Sequence, residues 1–322
     1  MRFFEDIAVG QRRELGSFTF TAEGIKKFAA QFDPQRFHLD EEEGRRSLFG
    51  GLAASGWHIG SACMKLLVTD GRVGFTGGVG IAPKWTGNGQ DAEHWRDSHY
   101  RVEGPVVAQM QSTFLDNWLK VSGQVLHGEA YFPDIKPVGP MPAQMFSSSP
   151  TSGSENVELM YQMALTASAK TIDLSMAYFV PDELSLGIFL DALRRGVRLR
   201  LIVPGAITDT ETVRAASRAS WGALLAAGAE IYEFQPTMYH CKVMIVDGLM
   251  VSVGSTNFDN RSFRLNDEAN LNMYDAAFAA RQTAVFEQDL KQSRRVSLEE
   301  WVNRPLSEKF NEKLASLLNS QL

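Results

Sequence analysis

His240 and Lys242 stand two positions apart at the head of the segment His240-Cys241-Lys242-x4-Asp247-x6-Gly254-Ser255-Thr256-Asn257. On an extended backbone such a pair projects from one face, so an imidazole and an ammonium share one pocket. The imidazole is near neutral at pH 7 and can attack phosphorus. The ammonium and the amide of Asn257 can hold the non-bridging oxygens of the phosphoryl group. This is phosphodiester chemistry that calls for no metal and no other cofactor. One histidine at a strand start is most often structural; the surrounding constellation makes His240 the expected nucleophile. Glu268 closes the stretch Arg261-Ser262-Phe263-Arg264-Leu265-Asn266-Asp267-Glu268, and its carboxylate is expected to orient the imidazole. Its alternative role is an ion pair with Arg261 or Arg264.

These side chains need a scaffold, and the pattern around them alternates strand with helix. A helix is expected from Asn156 to Ala169, a strand over Thr171–Met176, a helix ending at Arg194-Arg195-Gly196 and a strand over Val197–Val203. A further helix ends near Ala227-Gly228, a strand covers Glu230–Phe234, and a hairpin runs from His240 through Asp247-Gly248 to Gly254. The class is α/β. Prolines 133, 137, 140, 142 and 150 with two serine-rich runs mark residues 132–154 as a linker. Upstream, a helix is expected over Ala22–Phe32 behind a threonine cap, after a strand-like stretch at residues 17–21. An earlier frame, Lys65-x4-Asp70-Gly71, repeats the Lys242-x4-Asp247-Gly248 spacing. Val73–Thr76 continues it as a strand that runs into the tight turn Gly77-Gly78-Val79-Gly80, which lacks the spacing of a dinucleotide fingerprint.

The chain has 322 residues, enough for two compact units, with 44% hydrophobic and 22% charged residues, as in ordinary globular proteins. Acidic residues outnumber basic ones by 38 to 32, which argues against a nucleic-acid partner. The two cysteines, Cys63 and Cys241, fit a reducing compartment rather than a disulfide framework. The N-terminus does not read as a secretory signal, and no run approaches the roughly 18 apolar residues of a spanning helix. A cytoplasmic protein, peripheral on the inner membrane, is the expectation. The C-terminal stretch joins Arg294, Arg295, Arg304, Lys309 and Lys313 to Trp301, Phe310, Leu314, Leu317 and Leu318. That composition suits an amphipathic surface helix, used for membrane docking or for packing on the adjacent domain.

The His-x-Lys-x4-Asp frame with Gly-Ser-x-Asn, the stretch Ala177-Tyr178-Phe179-Val180-Pro181-Asp182 and the run Arg261–Glu268 resemble the phospholipase D superfamily, and within it bacterial cardiolipin synthases. The likeness runs from about Lys65 to the C-terminus and includes His94-Trp95-Arg96-Asp97-Ser98-His99 and Trp301-Val302-Asn303-Arg304-Pro305. It implies two similar α/β halves whose His-Lys pairs meet at one pocket, and a phosphatidyl-histidine intermediate resolved by a second phosphatidylglycerol or by water. Carried over by position, the catalytic set is His240, Lys242, Asn257 and Glu268, with Asp247 as a structural member of the motif and Lys65 as the first-half lysine. Ser255, Gly77, Gly78 and Asp97 are the expected substrate contacts, and Asp97 is expected to serve the first half-site as Glu268 serves the second.

The first half departs from the pattern. Cys63 stands where its histidine belongs, Gly80 occupies the place matching Asn257, and His58 lies too far from position 63 to substitute. Residues 1–64 instead resemble the front of a MaoC-like acyl dehydratase of the hot-dog fold. Asp33-Pro34-Gln35-Arg36-Phe37-His38 is similar to its Asp-x4-His dyad, and Phe49–His58 to the entry of its central helix. The expected organisation is an incomplete hot-dog fragment over 1–64, a truncated phospholipase D half with linker over 65–145, and a complete half over 146–322. The resemblance implies phosphatidyl transfer between phosphatidylglycerol molecules, and because the first-half histidine is missing, activity is expected to need a symmetric homodimer that supplies a second His240. The alternatives are a catalytically silent phospholipid binder and an acyl-CoA hydratase using Asp33 and His38.

Overall fold

The computed structural model describes residues 19–32, 34–47, 50–54, 71–80, 82–87, 89–150 and 153–318. Lys65, Cys63, His58, Asp33 and the first repeat frame therefore lie outside the described residues. The chain divides into two compact units, one of residues 1–74 and 103–136, the other of 75–102 and 137–322.

In the first unit, α1 (Ala22–Phe32) starts behind Thr21, whose hydroxyl accepts the Gly24 N–H at 3.1 Å, as the sequence led us to expect. Two short helices follow, α2 (Arg36–Leu39) and α3 (Glu41–Arg46), the latter capped by Asp40, which accepts from the backbones of Glu42 and Glu43. A longer helix, α4 (Val106–Ser122), ends at Gly123 in the left-handed conformation with φ 66°. Among the described residues of 1–64 there are helices and no strand, so the wrapped sheet of a hot-dog fold is not seen there. His38 is buried, with Nδ1 2.7 Å from the Ala53 carbonyl oxygen, a contact that ties the imidazole to the backbone 15 residues further on.

The second unit is built on an eight-stranded mixed sheet. Its strands are β3 (Ala143–Ser148), β4 (Thr171–Met176), β6 (Arg198–Pro204), β7 (Glu230–Phe234), β8 (Lys242–Val246), β9 (Met250–Gly254), β11 (Glu268–Tyr274) and β12 (Ser293–Val296), in the order β12-β7-β6-β4-β8-β9-β11-β3. β4, β6 and β7 are parallel, and every other pairing in this sheet is antiparallel. Apart from half-buried Thr171, β4 is buried along its length, as suits a central strand covered on both faces. Its alternation sorts the layers. Ile172, Leu174 and Met176 enter the apolar core with Tyr161, Phe189 and Trp221 of the helices α5 (Asn156–Ala167), α6 (Glu183–Arg194) and α7 (Glu211–Ala226). Asp173 lies on the other face in a buried ion pair with Arg200, whose guanidinium also reaches Glu287 on α8 (Ala276–Lys291).

The strand β3 was not expected from the sequence, while β1 and the packing of the C-terminal helices were. The proline-rich stretch contains β3, which completes the sheet edge by pairing with β11 from Ser148↔Glu268 to Ala143↔Met273. β1 (Val73–Gly77) pairs with β2 (His99–Glu103). The C-terminal helices α9 (Leu298–Val302) and α10 (Leu306–Ser316) attach to α7 through polar groups together with the small apolar contacts of Trp301 and Ala315, leaving the larger apolar residues of α10 outside the contact. Trp301 Nε1 donates to the Arg218 carbonyl at 2.9 Å, and Arg218 bonds Glu308 and Glu312. Trp301 also lies so close to Gly222 that a methyl there would fall 2.2 Å from the indole, so only glycine admits this approach.

Candidate active site

Two short parallel strands, β5 (Phe179–Val180) and β10 (Phe258–Asp259), lie beyond the carboxyl end of β4, and they gather the motif segments. Ala177 N–H donates to the Cys241 carbonyl, and Phe258 N–H donates to that of Tyr178, so the chain leaving β4 runs between His240-Cys241 and Asn257. Lys242 pairs with Met176 at the same strand end, Gly254 with Asn270 two residues into β11, and Glu268 opens β11. The site thus occupies the carboxyl end of the parallel strands, where open α/β sheets form crevices.

His240 is positioned by a segment far away in sequence. The backbone of Arg96 pairs in parallel with Tyr239, accepting the His240 N–H at 2.7 Å and donating to the Met238 carbonyl at 2.9 Å. The Arg96 side chain is anchored by a two-point ion pair with the buried Asp289, at 3.0 and 2.9 Å. That docking sets Asp97 Oδ2 2.7 Å from His240 Nδ1, with the carboxylate side chain only 2% exposed and the imidazole 16%. A carboxylate only accepts, so the ring proton sits on Nδ1 and the Nε2 lone pair is left for attack. Trp85 Nε1 donates to the same Asp97 oxygen at 3.2 Å, and Ser98 N–H donates to the other at 2.7 Å. The rings of Trp85 and Trp95 pack on the imidazole at 5.7 and 5.3 Å between centroids.

Lys242 Nζ lies 3.0 Å from both ring nitrogens of His240 and donates to its carbonyl oxygen at 2.8 Å. An ammonium equidistant from both nitrogens sits over the ring face, outside the plane that holds the lone pair. It can move to a phosphoryl oxygen without blocking Nε2. Burial pulls the Lys242 pKa down, while the charge of Asp97 works against that pull.

Glu268 does not orient His240, as the sequence had suggested. Its carboxyl accepts from the Ser255 hydroxyl and from Asn266 Nδ2, and burial pushes its pKa up to about 7. The orienting carboxylate is Asp97, assigned from sequence to the other half-site. Nor does Ser255 point free for substrate, since it donates to Glu268 and accepts from the Ala269 N–H. Asn257 is buried, its N–H bonds Ser262 Oγ at 3.3 Å, and its Oδ1 has no hydrogen-bond partner among the described residues.

Asp247 is remote from the pocket, at the opposite end of β8. With φ 54° its carboxylate accepts three backbone N–H groups, of Ala169, Lys170 and Thr171, at 2.9, 2.6 and 2.8 Å. It fixes the turn from α5 into β4. Gly77 and Gly78 form the tight turn expected of them. A methyl on Gly77 would fall 2.3 Å from the Ser98 carbonyl oxygen, and one on Gly78 2.6 Å from Asp97 Oδ2. Their role is to let the backbone approach Asp97. His94 bonds Asp91 and His99 stacks on Phe75, so the histidines near Asp97 in sequence are drawn elsewhere.

The comparisons with known proteins fall on this site. Residues 161–290, which include His240, Lys242, Asn257 and Glu268, match the family model described as cardiolipin synthase, PLD-like domain. This part of the chain is similar to a phospholipase D-like domain. The chain is 33% identical over 258 residues to cardiolipin synthase 1 of Staphylococcus aureus (strain COL), covering 79% of this chain and 52% of that protein. It is 32% identical over 257 residues to the major cardiolipin synthase ClsA of Bacillus subtilis (strain 168), covering 79% and 53%. The chain spans about half the length of the curated relatives it matches. Among solved structures, phosphatidylserine synthase of Haemophilus influenzae Rd KW20 is similar in fold, with a TM-score of 0.53 at 14% identity over 71% of this chain and 64% of that one. None of these matches is to an acyl dehydratase.

Proposed function

We propose that the chain performs phospholipase D-type phosphatidyl transfer of the cardiolipin synthase kind, with phosphatidylglycerol-like lipids as substrates. His240 Nε2 attacks the phosphorus of one phosphatidylglycerol; the new N–P bond replaces the P–O bond to glycerol, which leaves with a proton. The hydroxyl of a second phosphatidylglycerol then attacks, loses its proton, and the N–P bond breaks to give cardiolipin. Lys242 and Asn257 neutralise the non-bridging oxygens as charge builds. Asp97 stabilises the protonated ring that each displacement passes through.

The observation that carries this reading is the Asp97–His240 hydrogen bond of 2.7 Å, which fixes the tautomer a histidine nucleophile needs. Residues 146–322 act as the complete half, 65–145 as a shortened one and 1–64 as a separate N-terminal piece. Since Cys63 stands where the first-half histidine belongs, a symmetric dimer that opposes two copies of His240 provides the acid for the leaving glycerol. The protein works in the cytoplasm on the inner-membrane surface; among the described residues no helix is long and apolar enough to cross a membrane. Incubation with headgroup-labelled phosphatidylglycerol tests the proposal. The native chain releases labelled glycerol and His240→Ala does not; equal release from both refutes it.

A further inference from the structure

Helix α10 is inverted relative to an ordinary surface helix. Its acids are paired on the side toward α7: Glu308, half exposed, and Glu312, buried, bond Arg218 at 3.2 and 3.0 Å, Glu312 pairs with Arg304 at 2.6 Å, and Ala315 is buried beside it. Its large apolar residues face outward, with Leu306 81%, Phe310 69%, Leu314 56% and Leu317 73% exposed. At about 100° per residue these four fall on one side, and Lys313 and Lys309 flank the stripe along its Leu306 edge. Packing against α7 is therefore already satisfied by the polar face, and the apolar face has no cover among the described residues.

We infer that the outward face of α10 is a docking surface for an anionic phospholipid bilayer, on which the helix lies flat with its leucines and phenylalanine among the acyl chains and Lys309 and Lys313 at the headgroups. Charge decides the occupant. The protein carries a formal charge of −6, so an anionic surface repels it as a whole. The outward face of α10 is the opposite case, because among the described residues Lys309 and Lys313 form no ion pair while both acids of the helix are paired with Arg218. A second copy fits poorly. The stripe is one helix about 16 Å long, too small a face for the roughly 1,200 Å² of a stable interface. A two-fold contact would also set lysine against lysine. The inference concerns a surface distinct from the pocket and does not depend on turnover.

The experiment is co-sedimentation of the full chain carrying His240→Ala with vesicles of phosphatidylcholine alone or mixed with phosphatidylserine. The parent should pellet with the mixed vesicles and much less with the neutral ones. Replacing Leu306, Phe310, Leu314 and Leu317 together by serine should weaken pelleting by about tenfold or more, with the thermal midpoint unchanged because the inward face is untouched. Lys309→Glu with Lys313→Glu should abolish the preference for mixed vesicles while leaving the apolar stripe in place. The proposal is overturned if the serine variant pellets like the parent, if the parent binds neither vesicle, or if the charge reversal leaves the preference intact. It is also overturned if the parent sediments as a dimer that the serine substitutions split without any change in vesicle binding.

Discussion

Asp97 and His240 are separated by 143 positions in the chain and by 2.7 Å in the fold. The contact is made because Arg96 is fastened to Asp289 and its backbone runs beside Tyr239. The imidazole proposed as nucleophile thus belongs to one motif and the carboxylate that holds it to another.

Replacing Asp97 by Asn removes that control. The amide can donate to Nδ1, which moves the ring proton to Nε2 and hides the attacking lone pair. Activity should fall by about 10³–10⁴-fold, by analogy with the orienting carboxylate of a hydrolytic triad, with little change in thermal midpoint. Glu268→Gln should cost activity far less, and single-turnover rates of the two variants on labelled phosphatidylglycerol compare them.

Gly78→Ala should act on the same contact from behind. Its methyl would fall within 2.6 Å of Asp97 Oδ2, and the carboxylate can yield only by leaving His240. A displacement of that kind should lower turnover by about 10²-fold while the far-ultraviolet circular dichroism of the variant stays native.

Glu268 gives the protein a pH-dependent stability. Burial holds its folded pKa at about 7, above the ordinary 4.5. The folded state therefore binds a proton that the unfolded state releases. Relative to Glu268→Gln, the native chain should be unpenalised below pH 4.5 and lose stability as pH rises through about 7, by a few kcal/mol in all. Denaturant melts of both proteins across that window measure it, and parallel curves would show that the carboxyl does not titrate there.

Much of the second unit was legible because its signals are local. Apolar strands such as Thr171–Met176, the alternation with helices and the Asp247-Gly248 turn all follow from short-range pattern. His240 and Lys242 were legible too, since two residues on one strand face share a pocket wherever the strand goes. The partner of His240 was not, because choosing Asp97 over Glu268 depends on how residues 94–99 dock against 237–241. The strand at Ala143–Ser148 was hidden for a related reason: prolines flank it, and its pairing with β11 is supplied by tertiary context.

Asp247 separates folding from chemistry within the motif. Asp247→Ala loses three accepted N–H bonds and keeps a positive φ that alanine tolerates poorly, so it should cost about 1–3 kcal/mol of stability. Asp247→Asn should cost less, and both should keep native turnover per folded molecule, measured as thermal midpoint beside specific activity.

Turnover with a phosphatidylglycerol labelled in its phosphate, stopped by detergent at alkaline pH to preserve a phosphorus–nitrogen bond, tests the central claim most directly. Peptide mass spectrometry should place the phosphatidyl adduct on Nε2 of His240, with none formed by His240→Ala. An adduct on any other residue, or cardiolipin formation undiminished in His240→Ala, would contradict the account.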